Sequence, residues 1–373
     1  MMNVALELQP CCGNRSGVGT YTYELARRLR DGDGLEFCGN VFDFLGRRGY
    51  AQLLETVPMP VRLQKSMPYG VYRRIWHLLP LSYGSMFPKA DLHLFFNYIV
   101  PPRVSGAIVT TIHDMTYLRF PETMGQRNLQ RIRRDIQSSV ERSDRILTVS
   151  EFSKREITEL LGVAPDRISV VYNAPSVAET EAPFSQVKAR YGIQGPYLLY
   201  VGTLEPRKNI VRLIHAFEQL KEDGLPHQLV LAGGMGWKTE EIQQTVSASS
   251  WGEQIVLTGY VSGEEKNALY RHADVFLFPS LYEGFGIPPL EAMRFDCPVV
   301  CSNAASLPEV VGEAGEYVDP MDVCSIAQGI WNVIYRAGYR EELVEKGRRQ
   351  SERFSWDRSA RELERVCKTL ALQ

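Results

Sequence analysis

The sequence predicts an α/β protein of two doubly wound domains, each a parallel sheet covered by helices. Three observations lead there. Short apolar runs alternate with amphipathic segments along most of the chain, which is the pattern of parallel strands and their crossover helices. At 373 residues the chain is longer than one hydrophobic core ordinarily supports. The alternation lapses once, over residues 174–195, where Pro175, Pro183 and the adjoining Pro196 interrupt a mixed polar stretch and mark an interdomain linker.

In the first half, strands are expected at 3–8, 37–42, 92–96, 107–112 and 145–149. The first helix carries Val18, Tyr21, Leu25, Ala26 and Leu29 at helical spacing, one apolar stripe for the face of a sheet. In the second half, strands are expected at 197–202, 228–232, 255–259, 275–279 and 298–302. Ile210, Leu213, Ile214, Phe217 and Leu220 form the stripe of the helix after the first of these. The domains expected are 1–178 and 179–355. No short internal repeat or low-complexity segment interrupts them.

The 42 basic and 44 acidic side chains leave a formal charge of −2, which argues against a dedicated nucleic-acid binder. Residues 1–178 hold 22 basic and 17 acidic side chains against 20 and 27 in the remainder, so the first half is the basic one. Within it, Arg127, Arg131 and Arg134 share one face of a helix expected at 126–136, opposite Leu129, Ile132 and Ile136. That face is either simply solvated or drawn to anionic lipid. The seven cysteines, Cys11, Cys12, Cys38, Cys297, Cys301, Cys324 and Cys367, show no C-x-x-C spacing and read as free thiols of a reducing cytoplasm. The N-terminus reads as a first strand rather than a signal peptide. No run approaches the roughly 20 apolar residues of a spanning helix, so any membrane contact is expected to be peripheral, on the inner face.

In doubly wound sheets, ligands bind where the carboxyl ends of strands feed into loops and helices. Gly202 ends a strand there, and Arg207 and Lys208 follow in the loop before the next helix. One can grip a diphosphate by forked hydrogen bonds and the other as a point charge. Residues 283–291, Glu-Gly-Phe-Gly-Ile-Pro-Pro-Leu-Glu, follow a second strand end. Pro288 and Pro289 suit a helix's first turn, and Gly284 and Gly286 let backbone amides approach an anion. Glu283 on the loop and Glu291 on the helix can each accept hydrogen bonds from sugar hydroxyls.

In the first half, Ser16-Gly17-Val18-Gly19 lies between a strand and the first helix, but it falls short of a full dinucleotide fingerprint. No acidic residue stands in the ribose-binding setting, which disfavours a nicotinamide dehydrogenase. His113-Asp114 and Asn97-Tyr98 sit at strand ends. His113 there can orient a substrate hydroxyl, and Asp114 can hold the loop or an acceptor. Ser150 reads as a helix N-cap before Glu151. Asp31-Gly32-Asp33 has the D-x-D form of a metal site, yet it follows a helix at the opposite end of the sheet and reads as a turn.

Taken together, these segments resemble the retaining glycosyltransferases of family 4. The likeness runs through the Gly-Val-Gly loop, residues 111–114, 149–153, 201–209 and 279–293, with Glu283 to Glu291 as the family's E-x7-E motif. The resemblance implies a GT-B fold, two Rossmann-like domains facing a central cleft, with a final helix at 356–373 returning to the first, acceptor-side domain. It implies that Arg207 and Lys208 bind the donor diphosphate with Gly17 and Gly19 beside it, and that Glu291 holds the ribose. Gly202 belongs to the same donor site, and Gly259, Tyr260 and Val261 lie near the base. Glu283, Phe285, Gly286 and Ile287 contact the transferred sugar, with His113 near it, while Asp114, Asn97 and Tyr98 face the acceptor. No metal or other cofactor is required. The wording of residues 200–209 is similar to bacterial mannosyl- and rhamnosyltransferases of surface polysaccharide synthesis. This implies GDP-mannose as the leading donor, with UDP- and dTDP-sugars next, and a saccharide or lipid-linked saccharide as acceptor. A GT-B sugar-nucleotide epimerase and a non-catalytic nucleotide-sugar-binding protein are the competing readings.

Overall fold

The computed structural model describes residues 1–12, 17–46, 51–76 and 82–371. Ser16 and the last two residues of the expected final helix lie outside them. The chain divides into two compact units. One holds Met1–Met115, Arg127–Asn173 and Ser355–Gln373, the other Thr116–Gln126 and Ala174–Phe354.

The first unit is built on seven parallel strands: β1 (Met2–Glu7), β2 (Leu35–Phe42), β3 (Val61–Gln64), β4 (Leu92–Phe95), β5 (Ala107–Thr111), β6 (Arg145–Thr148) and β7 (Ile168–Val170). They lie in the order β3-β2-β1-β4-β5-β6-β7. The chain winds outward from β1 to one edge, then starts again at β4 on the other side. Glu7 pairs with Phe95 across that reversal. Val4, Leu6, Leu92, Leu94, Val109 and Leu147 are buried almost completely, as a sheet covered on both faces requires. The two strands not anticipated, β3 and β7, are the edges. They are short and half-exposed, so they lack the apolar run that announces a central strand.

Helices complete this unit. Gly17–Ala26 buries Tyr21, Leu25 and Ala26, and Leu29 just beyond it, while Val18 stays half-buried. Ser150 caps the helix Glu151–Leu161, its hydroxyl accepting from the Ser153 amide at 3.0 Å. The Asp31–Asp33 segment is a turn: Asp31 accepts from the Phe37 amide and Asp33 pairs with Lys368. Lys368 belongs to the helix Trp356–Ala371. The same helix sets Trp356 edge-on to Tyr21, bonds Asp357 to Arg28 at 2.8 Å, and donates from Ser359 to the Tyr172 carbonyl at 2.6 Å.

The second unit repeats the plan with β8 (Tyr197–Val201), β9 (Gln228–Ala232), β10 (Ile255–Gly259), β11 (Val275–Phe278), β12 (Val299–Ser302) and β13 (Gly315–Val318), ordered β10-β9-β8-β11-β12-β13. Here the reversal falls between β8 and β11. The helix Ile210–Glu222 buries all five stripe residues. β13 was not anticipated, and it too is a half-exposed edge. Part of the stretch expected as linker is helical: Phe184–Tyr191 runs from Pro183 to a left-handed Gly192. With Val187 its single buried residue, it offers no stripe to read. Among the described residues no helix is long and apolar enough to cross a membrane.

Candidate active site

In the second unit, the loops leaving β8 and β11 meet at the reversal point. After β8, Pro206–Lys208 make one tight turn and Asn209 takes the left-handed conformation, φ +62°. Its buried side-chain amide donates to the carbonyls of Pro279 at 3.0 Å and Pro320 at 2.6 Å, and the Leu281 amide donates to the Arg207 carbonyl at 2.9 Å. The β8 loop is thereby fastened to the loop after β11. Gly233, φ +156°, lets the neighbouring loop in: a Cβ there would lie 1.9 Å from the Gly202 carbonyl oxygen.

That fastening brings four charges together. Arg207 bonds to Glu205 at 2.7 Å, to Glu283 at 3.0 Å and to the Tyr282 carbonyl at 2.5 Å. Lys208 reaches the other Glu283 oxygen at 2.5 Å and stands over the Phe278 ring, 5.1 Å from its centre. Burial would push the Glu283 carboxyl up, but the Arg207 guanidinium and the Lys208 ammonium overcome this and hold it at about 2. Burial also holds the Lys208 ammonium below its ordinary range, against the pull of Glu283. Near neutrality the site therefore contains an ionised carboxylate between two cations, all three largely out of water. Such pairing is what keeps buried charges tolerable.

Beyond Glu283 the chain turns at Gly286, φ +97°, into the helix Ile287–Arg294, with Pro288 in its first turn. Ser306 donates to the carbonyls of Glu283 and Phe285, both at 2.9 Å, fixing the loop that precedes the helix. Phe285 is buried against Phe354, and Ile287 is half-buried. Glu291 lies on the helix, buried. Lys266 reaches one of its oxygens at 2.7 Å and the Tyr270 hydroxyl donates to the other at 3.1 Å. Gly202 follows β8 directly and Gly259 ends β10. Tyr260 after them is 72% exposed, Val261 is buried, and Ser262 caps the next helix.

Glu205, Asn209, Lys266, Tyr270 and Ser306 carry much of this geometry, yet none was singled out from the sequence. Glu205 and Asn209 stood inside the Gly202 motif, and their buried polar role was the available signal. Lys266 sits in a Glu-Glu-Lys run that reads as an exposed helix face.

In the first unit, His113 follows β5, with Nε2 2.9 Å from the Phe96 carbonyl and its ring edge-on to Tyr21 at 5.1 Å. Burial holds its imidazole below the ordinary range, although the Phe96 carbonyl and Asp114 work the other way. A carbonyl can only accept, so Nε2 carries the proton and Nδ1 is left as an acceptor. Asn97 follows β4, accepting from the Tyr98 amide at 2.9 Å, and the Tyr98 ring lies 6.3 Å from that of His113. His113, Asp114, Asn97 and Tyr98 thus gather at the ends of β4 and β5. Gly17 and Gly19 are not loop residues: they occupy the first turn of the helix Gly17–Ala26. Among the described residues no cluster of three or more His, Cys, Asp or Glu could hold a metal ion.

Comparison with known proteins agrees with this architecture. The family model "Glycosyltransferase Family 4" matches residues 15–178, and "Glycosyl transferases group 1" matches residues 185–350. The chain is 38% identical over 377 residues to O-antigen chain mannosyltransferase B of Escherichia coli, covering 95% of this chain and 97% of that protein. It is 29% identical over 330 residues to O-antigen chain mannosyltransferase RfbU of Salmonella typhimurium, covering 86% and 88%. In fold it is similar to Anabaena HepE, solved in complex with UDP and glucose, with a TM-score of 0.74 at 18% identity over 99% of this chain and 100% of that one. With a relative this similar over nearly its whole length and both halves matched by glycosyltransferase models, the chain belongs to glycosyltransferase family 4.

Proposed function

We propose that this glycosyltransferase moves a hexose, with retention of anomeric configuration, from a nucleotide sugar to a saccharide or lipid-linked saccharide in bacterial surface polysaccharide synthesis. GDP-mannose is the donor we favour, because the relative covering almost the whole chain is named an O-antigen chain mannosyltransferase. The observation that carries the reading is the Arg207–Lys208–Glu283 cluster at the reversal point of the second sheet. Residues 1–178 then serve as the acceptor-side domain and 179–355 as the donor domain.

Arg207 and Lys208 stabilise negative charge on the departing diphosphate. Lys208 has three protons, so it can keep Glu283 and still donate to a phosphate oxygen. The first-turn amides beside Gly17 and Gly19 contribute further donors, and Gly202 leaves room for the phosphates. Glu283, with the backbone of Phe285, Gly286 and Ile287, contacts the transferred sugar. Glu291 accepts from the ribose through lone pairs that Lys266 and Tyr270 leave over, and Gly259, Tyr260 and Val261 border the base. His113 Nδ1 accepts from a sugar hydroxyl, while Asp114, Asn97 and Tyr98 serve the acceptor. As the glycosidic bond to the diphosphate breaks, the acceptor oxygen attacks the same face of the sugar and its proton passes to a leaving phosphate oxygen. Glu283 as covalent nucleophile is disfavoured, since both of its oxygens already bear cations.

The test is a thermal-shift panel of GDP-, UDP- and dTDP-sugars followed by mass spectrometry of the products. Stabilisation by GDP-mannose and an acceptor one hexose heavier are expected, with turnover nearly abolished in Lys208→Ala and Glu283→Ala. Conversion of a nucleotide sugar without acceptor would mean an epimerase, and stabilisation without turnover a binding protein. Attraction to anionic membranes through the helix Gln126–Arg142 belongs to the same proposal. Its apolar side chains Leu129, Ile132 and Ile136 are buried, so only exposed arginines such as Arg127, Arg133 and Arg134 can engage lipid. Binding to anionic vesicles should vanish as salt rises; failure to bind even at low salt would remove the idea.

A further inference from the structure

At the reversal point of the first sheet, where β1 and β4 end side by side, lies a cavity of about 230 Å³. Glu7, Tyr69, Arg73, Trp76, Asn97 and Arg131 are among its lining residues, all from the first unit. Doubly wound sheets hold ligands at this place, and the volume suits one small ring rather than a nucleotide.

Two polar atoms on the wall have no partner. Glu7 is 7% exposed, yet its Oε1 makes no hydrogen bond within the protein, and Arg131 Nε is likewise buried without an acceptor. Leaving such groups unmet is costly, and a native fold keeps them where something else satisfies them. The carboxyl can accept or, carrying its proton, donate, and the guanidinium nitrogen asks only for an acceptor. A hydroxyl supplies both. The rest of the wall combines aromatic faces, Tyr69 and Trp76, with an amide at Asn97. That is the composition of a pocket for a ring with apolar C–H faces and polar edges. Arg73 lies over the Tyr69 ring at 5.3 Å, packed against its aromatic face.

We propose that this cavity receives one pyranose ring of the acceptor saccharide, with Glu7 and Arg131 reading its hydroxyls. The assignment rests on the reading of the chain as a saccharide-extending transferase, and it makes Glu7 and Arg131 determinants of which sugar is extended.

Saturation-transfer NMR on the full chain, without donor, tests it with mannose-, galactose- and N-acetylglucosamine-terminated trisaccharides. One of them should give transfer signals that fall sharply in Glu7→Gln and in Arg131→Gln. In steady-state assays the acceptor KM should rise about 10-fold or more in each variant, while the donor KM and the thermal shift by GDP stay as in wild type. The retained GDP shift shows that a variant is folded. No trisaccharide signal in wild type, signals in both variants undiminished from wild type, or displacement of the sugar by inorganic phosphate would overturn the proposal. A wild type that binds a trisaccharide through Glu7 but transfers nothing would instead sink the transferase reading.

Discussion

Glu7→Gln should make the protein more stable, and by an amount that depends on pH. Burial pushes the Glu7 carboxyl from 4.5 up to about 8, only partly offset by the Gln9 amide and by Arg73. Between those two values the native protein keeps a proton that the unfolded chain has released. Stability is therefore lost as pH rises through this window. At pH 7 the loss amounts to about 3 kcal/mol, and above pH 8 it levels off near about 5 kcal/mol. Glutamine keeps the shape and has no proton to release, so the variant escapes the loss. Urea unfolding of wild type and Glu7→Gln at about pH 4.5, 7 and 9 would measure this. The two should differ little at the lowest pH, with the variant ahead by about 3 kcal/mol at neutrality. A difference that does not change with pH, or a variant less stable at pH 7, would refute the reasoning. A stability gain coupled to weaker acceptor binding is the mark of a residue retained for function.

Glu283→Gln should show the opposite pH dependence. Its carboxyl falls from 4.5 to about 2 in the folded protein, so it contributes on the order of 3 kcal/mol above pH 4.5, which is lost as pH falls toward 2. Urea unfolding at pH 7 and pH 3.5 should show the deficit of the variant shrinking at the lower pH. Gly286→Ala would place a Cβ 2.6 Å from Leu307 at φ +97°. It should cost about 1–3 kcal/mol and weaken the thermal shift given by GDP. Asn209→Ala strips the Pro279 and Pro320 carbonyls of their donor. A loss of about 1–3 kcal/mol is expected, with a larger drop in turnover than stability alone explains, read by comparing kcat with the melting midpoint.

The ten strands expected from the sequence all form: nine are central parallel strands, apolar on both faces, which announce themselves as continuous runs, and the tenth is the edge strand Ile255–Gly259, which keeps the run Ile255-Val256-Leu257. The edge strands Val61–Gln64, Ile168–Val170 and Gly315–Val318 escaped, since an exposed edge tolerates Arg, Gln, Ser and Glu. The same distinction holds at the site. Arg207, Lys208, Glu283 and Glu291 were legible because they crowd into two short motifs beside glycines and prolines. Ser306 and Lys266, which hold them, lie 23 and 25 residues from Glu283 and Glu291 and join them only through the fold. Glu7 is the extreme case. In Ala-Leu-Glu-Leu it passes for the polar member of a strand, and the rings around it come from residues some 60 to 80 positions away.

The chain passes between its two units four times, after Met115, Gln126, Asn173 and Phe354. Inheritance of specificity is constrained by this path. A recombination with a single junction near residue 174 would bring in most of a new second unit together with a foreign final helix. That helix would arrive without the matched partners that Trp356, Asp357 and Lys368 find in Tyr21, Arg28 and Asp33. Exchange of the main body of the second unit between relatives therefore favours two junctions, one at each end of residues 174–354. Those ends are where grafts between family members should be joined.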